Sequence, residues 1–188
     1  MKTGGKYIIM LVGYTHSGKT TFAKKISKGV DNLVVIDNDE IADFINQKYP
    51  AAVFSKYNKI KRNFKKPNLK FLISQDIFKF SLYAKLNILF ASGNLGKDVR
   101  LIIKNNARKH NYKLVTVYFN LPRSVILSRI KGTKKSTTCF RKSKTWYEVL
   151  KNQESYAELP PSRGKTNYFE INNSEDYEKT LLELKKLL

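Results

Sequence analysis

Tyr7-Ile-Ile-Met-Leu-Val-Gly13-Tyr-Thr-His-Ser-Gly18-Lys19-Thr20 decides how the rest of the chain is read. Six apolar residues in succession, closed by a glycine, predict a strand buried on both faces, as the inner strands of a parallel sheet are. The eight residues that follow match G-x-x-x-x-G-K-[ST] in full and stand between that strand and a helical pattern. Glycines let backbone N–H groups turn inward around phosphates, and a helix beginning at Gly18 adds its positive dipole end. Gly13, Tyr14, Thr15, His16, Ser17, Gly18, Lys19, Thr20 and Thr21 are therefore the expected nucleotide-binding residues, with ATP as the nucleotide. Lys19 is placed to reach the β- and γ-phosphates, and the Thr20 hydroxyl to meet Mg²⁺, an ion that takes oxygen ligands. His16 and Ser17 count here for their backbone, and His16 receives no catalytic role.

Working outward, Leu33-Val-Val-Ile-Asp37, Asn87-Ile-Leu-Phe-Ala91, Leu114-Val-Thr-Val-Tyr-Phe119 and Asn167-Tyr-Phe-Glu-Ile171 repeat the apolar run. Helical spacing fills the intervals: Lys19 to Lys28, closed by Gly29; Asp39 to Tyr49; Leu69 to Leu86; Lys97 to His110; Arg123 to Ile130; and Ser174 to Leu188. Alternating strands and helices predict a parallel sheet with helices on both faces, joined by right-handed crossovers. A chain of 188 residues suits one such domain.

Charge is the outlying quantity. Thirty-six Lys and Arg against 15 Asp and Glu leave a formal net charge of +21, which attracts polyanions such as nucleic acid. A compositional bias toward Lys, Asn, Ile and Tyr accounts for the same number. Two segments carry basic residues without an acid: Lys56, Lys59, Lys61, Arg62, Lys65, Lys66 and Lys70, then Arg129, Lys131, Lys134, Lys135, Arg141, Lys142 and Lys144. They read as insertions near 55–70 and 129–145 within one domain. A single cysteine, Cys139, cannot form an intramolecular disulfide, and the Tyr7–Val12 run is too short to span a bilayer. A cytoplasmic location is the expectation.

After the second strand, Val35-Ile-Asp37-Asn-Asp39-Glu40 puts carboxylates at a strand's carboxyl end, where open parallel sheets place their ligands. A kinase needs a group to accept the proton of the attacking hydroxyl, and Asp39 is the candidate. Asp37, Asn38 and Asp39 are also helix-capping types, so one acid can cap while the other acts. Together with Tyr49-Pro50, these motifs resemble the zeta-toxin group of P-loop kinases. That resemblance implies Lys19 as the phosphate-loop lysine, Asp39 as the base, and Arg129 and Arg141 as phosphate-clamping arginines. A second stretch, Asn94-Leu95, Arg100, Phe119, Pro122, Arg129 and Gly132-Thr-Lys134, is similar to the kinase domain of phage-type polynucleotide kinases. The fold implied is a P-loop NTPase of kinase type, a five-stranded parallel sheet with a basic lid.

The chain departs from both groups where it matters for the acceptor. Zeta toxins carry Glu and polynucleotide kinases Asp after the third strand, whereas this chain has Ala91-Ser92-Gly93; polynucleotide kinases place an Arg three residues past the base, where Ala42 stands. Arginines near the transferring oxygens stabilise their spread charge, the reason to single out Arg129 at the end of a predicted helix. Backbone at Ile171-Asn-Asn-Ser174, after the fifth strand, is a candidate contact for the adenine. The expected activity is transfer of the ATP γ-phosphate to a hydroxyl. The acceptor is either a nucleic-acid 5′-hydroxyl, favoured by the charge, or a nucleotide sugar or other small metabolite, favoured by Asp37-Asn-Asp39. An ATPase motor or switch would place Asp or Glu after the third strand, and a non-catalytic nucleic-acid-binding module would not need Lys19, Thr20 and Asp39 intact.

Overall fold

The computed structural model of the chain describes residues 5–54, 68–134, 137, 141–158, 160 and 167–188. Lys56, Lys59, Lys61, Arg62, Lys65, Lys66, Lys135 and Cys139 lie outside the described residues.

Strands β1 (Tyr7–Val12), β2 (Leu33–Ile36), β3 (Asn87–Phe90), β4 (Lys113–Phe119) and β5 (Tyr168–Ile171) form one sheet in the order β2-β3-β1-β4-β5. Every pairing is parallel, with Ile8 opposite Ile88 on one side and Leu114 on the other. All six residues of β1 are buried, as their unbroken apolarity requires at a sheet centre. Period-two alternation divides them between two cores. Ile9 and Leu11 pack with Phe22 and Ile26 of α1 (Lys19–Ser27) and with Leu181 and Leu184 of α8 (Ser174–Leu187). Ile8, Met10 and Val12 face Leu82 of α4 (Leu69–Tyr83) and Ile103 and Ala107 of α5 (Lys97–Lys109). Leu11 is fully buried, so truncating it to Ala would cost about 2–5 kcal/mol. The remaining helices are α2 (Asn38–Lys48), α3 (Pro50–Phe54), α6 (Arg123–Gly132) and α7 (Trp146–Glu154). Among the described residues no helix is long and apolar enough to cross a membrane.

The expected strands fall within a residue of their observed positions. Two helices, α3 and α7, have no counterpart in the sequence reading, and helix α4 stops at Tyr83 rather than running to Leu86. Its end is a left-handed cap: Lys85 takes φ 59°, the Leu86 N–H donates to the Ser81 carbonyl at 3.0 Å and the Lys85 N–H to the Leu82 carbonyl at 3.3 Å. Helix α5 closes the same way, with Asn111 at φ 57° and the Tyr112 N–H on the Ala107 carbonyl at 2.8 Å. Asn tolerates this conformation better than Lys does.

Lys85 is thus a β-carbon held in a conformation that glycine adopts freely. Lys85→Gly is expected to stabilise the fold by about 0.5–1 kcal/mol, raising the melting temperature by roughly 1–4 °C in a calorimetric scan; an unchanged or lower midpoint would contradict the strain assigned to this cap.

Candidate active site

Beyond Val12 the chain must turn out of the sheet and into α1 within six residues. Gly13 makes the first bend, where an added Cβ would come 2.9 Å from both the Phe119 Cβ and the Ser17 Oγ. Gly18 stands at φ 101° immediately before α1, in the left-handed region that favours glycine. Between them the loop is tied by Gly13 N–H to the Gly93 carbonyl at 3.0 Å and Ser17 N–H to the Tyr14 carbonyl at 3.3 Å. The Thr15 N–H donates to the Gln153 Oε1 at 2.7 Å. His16, at φ 58°, stacks edge-on against Trp146 with ring centroids 4.9 Å apart. Burial, then the charges of Lys19 and Arg129, lower the His16 pKa and keep the ring neutral at pH 7.

Lys19 opens α1 and is buried. Its Nζ donates to the Tyr14 carbonyl and, at 3.0 Å, to the Ser17 Oγ. Desolvation pushes its pKa down to about 8, against the opposing pull of the Asp37 and Asp39 carboxylates. One residue on, the Thr20 hydroxyl donates to the Asp37 Oδ2 at 3.1 Å. The other Asp37 oxygen accepts the Asp39 N–H at 2.9 Å and caps α2. Burial raises the Asp37 pKa, with those two donors acting in the opposite direction. Asp37 is therefore the capping acid, which leaves the Asp39 carboxylate to the cleft. Thr20 and Asp37 are both oxygen donors, a set that fits Mg²⁺, and among the described residues no group of three His, Cys, Asp or Glu side chains forms a cage of its own. Mg²⁺ bound chiefly by water and phosphate needs no such cage.

Both predicted arginines reach this place. Arg129, at the last turn of α6, donates from Nη1 to the His16 carbonyl at 3.1 Å. The Nη2 of Arg141 holds both oxygens of Asp39, at 2.8 and 2.6 Å, and its guanidinium lies 5.7 Å from the Trp146 ring centroid. With side chains 22% and 34% exposed, this ion pair is only partly screened by water.

Thr15 to Thr21, Asp37, Asp39, Arg129 and Arg141 line one cleft of about 1370 Å³, joined on its far side by Asn172, Asn173 and Ser174. Single-ligand sites run to roughly 300–1,000 Å³, so this open cleft is larger than one small ligand requires. Gly13 and Tyr14 lie off the wall: Gly13 at the sheet junction, Tyr14 against the apolar cluster of Ile126, Ile130 and Leu150. Sequence reading missed the polar partners that hold the site. Ser92 accepts the Asn38 N–H at 3.3 Å and its Nδ2 at 2.9 Å. Asn94 Nδ2 donates to the Leu11 carbonyl at 2.7 Å. Gln153 is on the unforeseen helix α7, whose start was legible as Thr145-Trp-Tyr-Glu148, the capping-box spacing; the Thr145 hydroxyl accepts the Glu148 N–H at 3.2 Å.

A family model described as an AAA domain matches residues 8–160 of the chain. Among solved structures, the fold is similar to a protein of Chloroflexus aurantiacus provisionally called a kinase, with a TM-score of 0.67 and 13% identity over 97% of this chain and 98% of that one. It is also similar to a sugar kinase from a Janibacter species, at TM-score 0.59 and 14% identity over 96% and 94% of the two chains. The Mycobacterium tuberculosis APS kinase solved with AMPPNP and APS gives a TM-score of 0.56 and 13% identity over 98% and 97%. No curated protein matches the sequence significantly. Strand order, phosphate loop and these likenesses agree on a P-loop NTPase fold of the kinase type.

The depressed Lys19 pKa has a sign that can be checked. The folded value lies below the unfolded one, so the cost of burying the charge is complete below pH 8 and declines as pH rises from there toward 10.5. Lys19→Met is expected to stabilise the ligand-free protein by roughly 1–3 kcal/mol at pH 7. That advantage over wild type should shrink between pH 8 and 10.5 in parallel denaturation curves; an advantage that does not change with pH would contradict it.

Proposed function

The chain belongs to the AAA domain family, and from that premise we propose that it is an ATP-dependent kinase, using Mg²⁺, that transfers the γ-phosphate to a hydroxyl. The observation that carries this reading is the meeting of Lys19, Asp39, Arg129 and Arg141 on one cleft wall from α1, α2, α6 and the segment before α7. A hydrolytic switch needs a carboxylate after the third strand, and Ser92 occupies that place.

The residues divide the work. Lys19 Nζ exchanges the Tyr14 and Ser17 oxygens for oxygens of the β- and γ-phosphates, recovering in ion pairing what it lost in burial. Thr20 and Asp37 would hold Mg²⁺, which when bound neutralises phosphate charge. Arg141 leaves the Asp39 oxygens for the phosphoryl group, freeing the carboxylate. The acceptor O–H bond then breaks as a new O–P bond forms, its proton passes to Asp39, and the bond from the γ-phosphorus to the β-phosphate oxygen breaks to release ADP. Arg129, anchored on the His16 carbonyl beside Gly18, stands by the phosphate loop to stabilise the charge that develops.

For the acceptor, the net charge of +21 and the neutral Asn38–Ser92 pair, in place of a third carboxylate, favour a hydroxyl on an anionic molecule such as a nucleic-acid 5′ end. The sugar kinase and APS kinase of the same fold favour a small metabolite instead, as the zeta-toxin resemblance does. Labelled γ-phosphate from ATP, offered to 5′-hydroxyl oligonucleotides, nucleotide sugars and water, separates these. Asp39→Asn is expected to lower transfer about 10²- to 10⁴-fold, and oligonucleotide labelling should fall steeply with salt. Phosphate released only to water would refute the kinase reading.

A further inference from the structure

Helix α7 turns one stripe toward the phosphate loop. Trp146, Leu150 and Gln153, spaced as i, i+4 and i+7, meet His16, the cluster that holds Tyr14, and Thr15 in turn. The Gln153 contact is the directional one. Thr15 N–H can only donate, so the amide oxygen must face it, and both residues are buried, Thr15 9% exposed and Gln153 8%. The Gln153 Nε2 lies on the β3 side, 3.7 Å from where a Cβ on Gly93 would stand.

The bond has a particular place in the loop. The Thr15 N–H and the Tyr14 C=O belong to one peptide unit, planar and with its two polar groups pointing in opposite directions. Gln153 holds the N–H end and Lys19 the C=O end. When Lys19 turns to phosphate, the carbonyl keeps only the long Ser17 N–H contact at 3.3 Å, and the 2.7 Å bond from Gln153 becomes the shorter of the two restraints on the rotation of this plane. A peptide that turns here carries His16 with it, and with His16 the carbonyl on which Arg129 is anchored. We infer that Gln153 is a positioning residue that keeps the phosphate loop in its anion-binding shape, an inference resting on the nucleotide reading above. It acts through the loop and touches no reacting atom. The same helix follows Arg141 in sequence and begins at Trp146, under its guanidinium, so the segment that clasps Asp39 and the helix that fixes the loop are continuous.

Trp146 is the chain's single tryptophan and rests on His16, so its fluorescence reads the loop directly. Titration with ATP and Mg²⁺ should give a dissociation constant about tenfold higher for Gln153→Met. Gln153→Glu retains an acceptor for the Thr15 N–H and should lose clearly less affinity than Gln153→Met. In turnover, Gln153→Met should raise KM for ATP more than it lowers kcat. Should Gln153→Met fail to fold in a thermal scan without nucleotide, Gln153→Asn, one methylene too short, takes its place with the same expectation. A methionine variant that binds ATP like wild type, or a glutamate variant as impaired as the methionine one, overturns the inference while leaving the nucleotide reading intact. A wild-type protein that does not respond to ATP overturns both.

Discussion

A strand buried on both faces and paired in parallel on both edges has its backbone fully engaged, and the chain can leave it only at its carboxyl end. β1 is that strand, and everything functional follows from how it is left. Two glycines bracket the exit, one where a side chain would collide with Phe119 and one at a positive φ before α1. The turn brings the loop and the first turn of α1 onto the wall of one cleft. Because β2, β3, β4 and β5 run the same way, their carboxyl ends deliver Asp37 to Asp39, Ser92 to Asn94, Leu121 and Asn172 to that cleft as well.

Electrostatics then sorts the groups gathered there. Lys19 is charged at a cost, buried and held by the loop's own oxygens, so it gains more from an arriving anion than an exposed lysine would. Asp37 caps α2 and receives the Thr20 hydroxyl. Asp39, two residues on, is held by Arg141. Two carboxylates of identical chemistry are separated, one into the helix cap and one into an ion pair facing the cleft, by which of them occupies the cap.

How much of this could be read from sequence follows from the range of each interaction. The sheet was legible because buried strands carry their signature locally, as in Tyr7–Val12, and the loop because its geometry demands glycines and a lysine at fixed spacing. Asp39 was singled out as the candidate base and one of the two acids as a cap, but which acid caps was left open, since either is competent and the observed φ and ψ of residue 37 decide. Gln153 stayed hidden because its partner is 138 residues away and a glutamine carries no signature of its own. Helix α7 was overlooked although its capping spacing is present at Thr145 and Glu148. The Lys85 cap could not be anticipated, as lysine has no local preference for that backbone conformation.

The first and the last helix of the fold share one face of the sheet. Phe22 of α1 stacks edge-on with Tyr177 of α8 at 5.2 Å, and Lys25 reaches Glu178 across 153 residues of sequence. Phe22 and Ile26 have two supports of very different range, Ile9 and Leu11 of the neighbouring β1 and Leu181 and Leu184 of α8. The first closes a short loop of chain and the second a long one, so the seat of α1 on the sheet forms from local contacts while its outer cover carries the larger loop-closure entropy. The helix that carries the phosphate loop is therefore seated locally and closed from a distance.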